Sequence, residues 1–175
     1  SDNDRTKIGD PHPDFTFGIN MNFQYKNWDM SMFWNGSVGN DIFDYTALYY
    51  ETPYFFNGNR STRVLDSWSP SNTDAILPAL SESITNNEFT LANSFFVRDG
   101  TYVRLRTLQI GYTLPDTIAS KIGASSARIY YNGSNLLTLT DFPGLDPEVP
   151  RGGALDIGVY SQQYPTNALN SIGIN

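Results

Sequence analysis

From Asp14 to Val38 the sequence DFTFGINMNFQYKNWDMSMFWNGSV alternates in polarity on either side of Lys26-Asn27. Phe15, Phe17, Ile19, Met21, Phe23 and Tyr25 share one parity, against Thr16, Gly18, Asn20, Asn22 and Gln24 on the other. Past the break, Trp28, Met30, Met32, Trp34 and Val38 alternate with Asp29, Ser31, Asn35 and Ser37, and only Phe33 departs clearly from the pattern. Successive side chains of a strand point to opposite faces, so each half predicts a strand with one apolar and one polar face. The tight polar break predicts an antiparallel hairpin. Each arm has about 11 to 12 residues, whereas globular strands cluster near 5 or 6 and strands that cross a bilayer need roughly 9 to 11. The arms are long enough to cross a membrane, and Tyr25 and Trp28 flank the turn where an interfacial aromatic girdle would lie. A long, half-buried hairpin in a soluble sandwich fits the same alternation.

Strand character returns in FFVRDGTYVRLRTLQIGYTL, Phe95 to Leu114. Val103 and Leu105 alternate with Arg104 and Arg106; Leu108, Ile110, Tyr112 and Leu114 then alternate with Gln109, Gly111 and Thr113. The apolar parity switches near Thr107, which predicts a bulge. Pro115 ends the strand, and DTIASKIG predicts a short turn or a single helical turn closed by Gly123. Ala127, Ile129, Tyr131 and Gly133 alternate with Arg128, Tyr130, Asn132 and Ser134 in the next strand, which runs on through NLLTLT. A final strand, ALNSIGIN, puts Ala168, Ile172 and Ile174 on one parity. Two long connections separate these strands, Gly39 to Ser94 and Asp141 to Pro165. The first holds no sustained period-2 pattern, with room for a helical turn before Pro53. Connections that long are unusual in a compact domain unless functional, and outer-membrane barrels have short turns on one side and long loops on the other. About five spanning strands cannot close, and lipid does not tolerate open edges, so the pattern predicts a sector of a larger barrel.

Composition narrows the classes. The 175 residues are 14% aromatic and 17% charged, which argues against disorder, and without cysteine there is neither a disulfide framework nor a thiolate metal site. A net charge of −7 disfavours nucleic acid as a partner. With a mean hydropathy of −0.37 and no apolar run near 18 residues, no transmembrane helix is expected, which leaves a barrel possible. The opening SDNDRTKIGDPHP lacks an apolar signal region, so the chain is expected to be a mature protein or a piece of one. His12, the single histidine, lies between two prolines and reads as a loop residue, so no catalytic triad is expected.

In this order, IGDPHPDFTFGIN, WSPSNTDAILP, RDGTYVRLRTLQIGYTLP, IYYNGSNLLTLTDFPGLDPEV and YPTNALNSIGIN resemble the C-terminal part of SusC/RagA-type TonB-linked outer membrane proteins. The resemblance spans nearly the whole chain, and its middle blocks are the most specific: Tyr-x-Arg-Leu-Arg running into Gly-Tyr-Thr-Leu-Pro, then Asn-Leu-Leu-Thr and Asp-Pro-Glu. It implies an all-β fold, a sector of an antiparallel transmembrane β-barrel of about 22 strands around a plug. Residues 1–175 would be its C-terminal part, with 39–94 and 141–165 as extracellular loops and the plug not present. The implied function is import of oligosaccharides or peptides across the outer membrane of a Bacteroidetes-type bacterium. Energy would come from TonB and a SusD-like lipoprotein would act as lid; neither a cofactor nor an enzymatic activity is implied. Two features depart from the family pattern. The last strand stops at Asn175, short of the usual terminal aromatic, and Tyr164-Pro165 is followed by Thr166-Asn167-Ala168 where a basic residue is usual.

Candidate binding residues come from the first long connection, where seven Phe and Tyr residues fall between Phe43 and Phe56. Tyr45, Tyr49, Tyr50, Tyr54, Phe55 and Trp68 are candidates for sugar stacking or for a partner surface, against the plainer reading of loop packing. Arg104 and Arg106 are expected to face the lumen, paired with carboxylates there or contacting an anionic substrate or the plug. Asp141, Asp146 and Glu148 read as a solvated Pro/Gly turn ahead of a Ca²⁺ site, because EF-hand spacing is absent. The sequons at Asn35 and Asn132 fall inside predicted strands and read as incidental. The competing class is a secreted, soluble all-β carbohydrate-binding module, which would stay monodisperse in buffer where exposed Phe15, Phe17, Phe23, Trp28 and Trp34 would drive aggregation.

Overall fold

The computed structural model describes residues 5–52, 58–80, 92–149, 153, 156–161 and 163–175. Its chain divides into two compact units, Pro13–Gly39 with Gly100–Phe142 and Tyr164–Asn175 in one, and Ser1–His12 with Asn40–Asp99 and Pro143–Gln163 in the other.

The first unit is a five-stranded antiparallel sheet. Its strands are β1 (Phe15–Tyr25), β2 (Trp28–Val38), β5 (Tyr102–Thr113), β6 (Arg128–Thr140) and β8 (Leu169–Ile174), paired in that order. The expected hairpin is present, with Tyr25 opposite Trp28 and Phe15 opposite Val38. Lys26 takes a left-handed backbone in the turn, φ 52°. Register carries the alternation across strands. Tyr25, Trp28, Tyr112, Ile129 and Ile174 form one directly paired row, and Phe23, Met30, Ile110, Tyr131 and Ile172 the next. Because paired residues share a face, the separate apolar parities merge into one continuous apolar surface. The expected bulge lies between Leu105 and Thr107, where Arg106 is the extra residue, and it lets Val103 and Leu105 share a face with Leu108 and Ile110. On β6 the bulge is matched by Asn135 in a left-handed conformation, φ 53°. The β5–β6 connection holds a helical turn, α2 (Asp116–Ala119), and a 3₁₀ turn at Ser120–Ile122 closed by left-handed Gly123, φ 76°.

The run from Phe95 to Leu114 is not one strand. Ser94–Phe96 is a 3₁₀ turn and Val97–Asp99 is a separate strand, β4, in the second unit. The physical reason is Phe96, whose side chain is fully buried in that unit's core and cannot also continue the β5 pleat. The first long connection likewise contains a short strand, β3 (Asp41–Asp44), and the second contains β7 (Val159–Tyr160). Together β4, β3 and β7 form a three-stranded sheet, antiparallel between β3 and β4 and parallel between β3 and β7. A six-residue helix, α1 (Tyr45–Tyr50), follows β3 directly. Ala47, Leu48 and Phe96 are the buried core, with Phe43, Tyr45 and Phe95 packed on it.

Candidate functional site

Two surfaces carry the residues singled out by sequence, one in each unit.

In the second unit, the smaller of the two in described residues, the aromatic set is built around α1. Asp44 caps its N-terminus, its Oδ1 accepting from the Ala47 N–H at 3.1 Å. Burial pushes the Asp44 carboxyl above its ordinary value, opposed by that hydrogen bond and by the Arg98 charge. At the other end all four C-terminal carbonyls find donors. Ala47 O accepts from Glu51 N at 2.8 Å, Leu48 O from Thr52 Oγ1 at 2.5 Å, Tyr49 O from Arg60 Nη1 at 2.7 Å and Tyr50 O from Ser61 N at 3.0 Å. A helix this short is not stable alone, so these caps hold it, and through Arg60 and Ser61 they tie the 58–80 segment to it. The buried Glu51 carboxylate adds to the tie. It accepts from Arg63 Nη1, and Arg98 Nη2 lies 3.7 Å from its other oxygen.

This scaffold divides the candidate aromatics by role. Tyr45 packs on the core, and Tyr49 stacks edge-on against it at 5.2 Å while donating to its hydroxyl at 3.3 Å. That hydrogen bond holds the Tyr49 phenol above its ordinary pKa. Both rings are thus engaged in packing within the unit. Tyr50 and Trp68 are 39% and 44% exposed and present ring area to solvent. Tyr54 and Phe55 lie outside the described residues. Sequence reasoning passed over Leu65 and Ile76, which are 88% and 75% exposed near Trp68 along the chain. The signal for them was available: both are bulky aliphatics in a polar Ser/Asn/Pro-rich stretch. The Trp68 backbone N–H donates to Leu77 O at 2.9 Å, which fixes the main chain at that position.

In the sheet unit the polar face carries the basic residues. Arg104 is buried beside Tyr102 and donates through Nε to Thr138 Oγ1 at 3.0 Å; Arg106, at the bulge, donates to Asn135 Oδ1 at 3.3 Å. Arg128 forms a two-pronged ion pair with Asp29 across the intervening strand β5, Nε to Oδ1 at 2.9 Å and Nη2 to Oδ2. The guanidinium passes over Gly111, where a Cβ would overlap it, so any larger residue there would push the guanidinium out of this position. Arg128 also lies 5.3 Å from the Tyr130 ring centre. Sequence alone did not reveal this pair, because it depends on register: Asp29 faces Gly111, and Gly111 faces Tyr130.

Asp146 Oδ1 accepts from the Glu148 N–H at 2.9 Å and closes the local turn. Among the described residues no group of three or more His, Cys, Asp or Glu side chains gathers as a metal site. Both sequons lie within strands, β2 and β6. His12 is exposed and its backbone N–H donates to Asp10 Oδ1 at 3.1 Å.

The chain thus carries a long-stranded antiparallel sheet, apolar on one face and polar on the other. It superposes on part of the RagAB peptide importer, in the open-open state with a TM-score of 0.71 at 23% identity and in the closed-closed state with 0.72 at 22%. Those matches cover 93% and 94% of this chain and 17% of the solved chains. By sequence, the chain belongs as a segment to the family of TonB-dependent receptors that includes SusC. It is 38% identical to TonB-dependent receptor P3 of Formosa agariphila over 98% of its length, and 33% identical to receptor P26 of the same organism over all of it. TonB-dependent receptor SusC of Bacteroides thetaiotaomicron is 28% identical over 81%. The chain spans 17%, 18% and 13% of these three relatives. No protein-family model matches it.

Proposed function

We propose that this chain is the C-terminal part of a nutrient importer's barrel wall, in the outer membrane of a Bacteroidetes-type bacterium. The observation that carries this reading is the continuous apolar face, on which Phe15, Phe23, Tyr25 and Trp28 are each more than half exposed. In water such a surface is a liability; against hydrocarbon it is the stabilising surface of the fold. The polar face, with Arg104, Arg106 and the Asp29–Arg128 pair, then lines the lumen and meets the plug. Membership in the TonB-dependent receptors supports a closed barrel of about 22 strands. It also supports energy supplied by TonB and a role in carriage with no catalysis.

The smaller unit is the outer mouth. Topology supports this placement, because the Lys26-Asn27 turn and the α2 connection are short, and barrels of this type keep their long loops outside. The exposed Tyr50 and Trp68, with Tyr54 and Phe55 beside them in sequence, meet the substrate, an oligosaccharide or peptide, and a SusD-like lipoprotein lid. The similarity to SusC supports that lid. A cysteine at Gly58 of the full-length receptor is expected to react on whole cells with a membrane-impermeant maleimide. Alanine at Tyr50 or Trp68 is expected to lower affinity for substrate or lid by about 2 kcal/mol in at least one case. An unreactive Gly58→Cys, or normal uptake by both alanine variants, contradicts the assignment.

A further inference from the structure

One position breaks the apolar face of the sheet. Met21, Met32, Leu108, Gly133 and Asn170 form a directly paired row across the five strands, and the row ends in an amide where its neighbours on β8 are Ile172 and Ile174. Gly133 is one residue from the middle of β6, so on the lipid-facing reading Asn170 sits near the centre of the bilayer. The Tyr131 side chain lies across the glycine, its hydroxyl within 2.8 Å of where a Cβ would be, and donates to Asn170 Oδ1 at 2.5 Å. This satisfies the phenol and one acceptor site of the amide. The two Nδ2 hydrogens of Asn170 have no acceptor among the described residues. Hydrocarbon offers them none, and an unmade amide hydrogen bond in an apolar medium is a large cost.

The surroundings point to what supplies the acceptor. Among the described residues the strand β8 is the sheet edge, so along Leu169–Ile174 it presents backbone N–H and C=O groups that no described strand pairs on its outer side. In lipid these must be paired. The chain spans 17% of its relative P3, so most of such a wall is made by other sequence. Side chains at diagonal positions on adjacent strands, facing the same way, are within reach of one another.

We propose that the strand pairing with the free edge of β8 carries an oxygen-bearing side chain (amide, carboxyl or hydroxyl) that accepts from Asn170 Nδ2. Tyr131, Asn170 and that acceptor then form a ladder across three strands on the outer face of the wall. Asn170 is a positioning residue: a one-residue slip of the incoming strand would turn its acceptor to the opposite face, so the ladder fixes the register of the junction. The proposal rests on the lipid-facing reading, and the experiment separates the two.

In the full-length receptor carrying Tyr131→Phe, so that no phenol is left without its acceptor, refolded in detergent and unfolded with urea, Asn170→Leu is expected to lower the folded-to-unfolded ratio about five-fold at the midpoint of the Tyr131→Phe parent. If only lipid covers Asn170, the same substitution removes an unsatisfied polar group and raises that ratio, which overturns the proposal. An unchanged monomer midpoint with loss of an oligomer assigns the amide to a second copy and also overturns it. Asn170→Ala, with the same sign expected and less change of volume, replaces the leucine variant if that one does not assemble. Ile172→Arg is the independent control: if it costs nothing, the lipid-facing reading has failed, and if it is costly while Asn170→Leu stabilises, only the ladder has.

Discussion

The two units use the same kinds of residue in opposite ways. In the smaller unit Phe96, Leu48 and Ile42 are 0%, 2% and 1% exposed, packed inside a helix and a three-stranded sheet, as the hydrophobic effect in water requires. In the sheet unit Phe15, Phe23 and Trp28 are 56%, 52% and 54% exposed, on strands twice the usual length. One chain thus holds a fragment built like a water-soluble domain and another whose large apolar residues face outward. The difference teaches that aromatic content alone does not locate a surface. What separates the two is whether a side chain's neighbours in register form a closed core or an open face.

The comparison can be broken most sharply through the core of the smaller unit. Phe96→Ala in the full-length receptor is expected to cost about 3 to 5 kcal/mol of that unit's local stability. It should appear as lost hydrogen-exchange protection of the α1 amides while the sheet amides stay protected. Loss of protection in both would mean that the units are one cooperative body.

Next in size is Phe17→Arg, on the apolar face of β1, expected to cost roughly 2 to 4 kcal/mol of barrel stability. Asn20→Arg, on the other face of the same strand, is expected to cost little, and equal unfolding midpoints for the two would contradict the facing. Removing the polar-face ion pair by Arg128→Met is a smaller test. Both partners are partly exposed, so only a small loss of stability is expected, most of it recovered in Arg128→Lys only if geometry matters less than charge.

The smallest effect is a pH dependence confined to the smaller unit. Asp44 has its folded-state pKa raised by burial, so the native unit holds the proton more tightly than the unfolded chain does. Stability therefore falls as pH rises from the ordinary carboxylate range through the raised value, the reverse of a salt-bridged carboxylate. Asn also caps helices, so Asp44→Asn should keep α1 and flatten that pH dependence, measured by exchange at the Ala47 amide. Unchanged pH dependence in the variant would assign it to another group.

Much of the sheet was legible in the sequence because a strand's period is visible in a single line of residues. The hairpin, the bulge near Thr107 and the turn ending at Gly123 follow from parity and turn chemistry. What parity cannot give is which strands are neighbours, so the Asp29–Arg128 pair over Gly111 and the Tyr131–Asn170 bond stayed hidden until the register was known. The smaller unit was harder for a different reason. Its strands run from two to four residues, too short to establish a period, and two of the four donors that close its helix, from Arg60 and Ser61, lie eleven positions from their acceptors. The aromatics around α1 were visible in sequence as a cluster, but their division into core and surface depended on those contacts.

The central claim, that the alternating faces of the sheet divide lipid from lumen, is tested most directly by spin labels placed singly at Ile19, Asn20, Met21, Asn22 and Phe23 of the full-length receptor in bilayers. Collision with dissolved oxygen and with a water-soluble nickel chelate is then measured at each site. The account predicts strict alternation, with oxygen access high and nickel access low at Ile19, Met21 and Phe23, and the reverse balance at Asn20 and Asn22. Uniform nickel access at all five positions, or an alternation of the opposite phase, would contradict it.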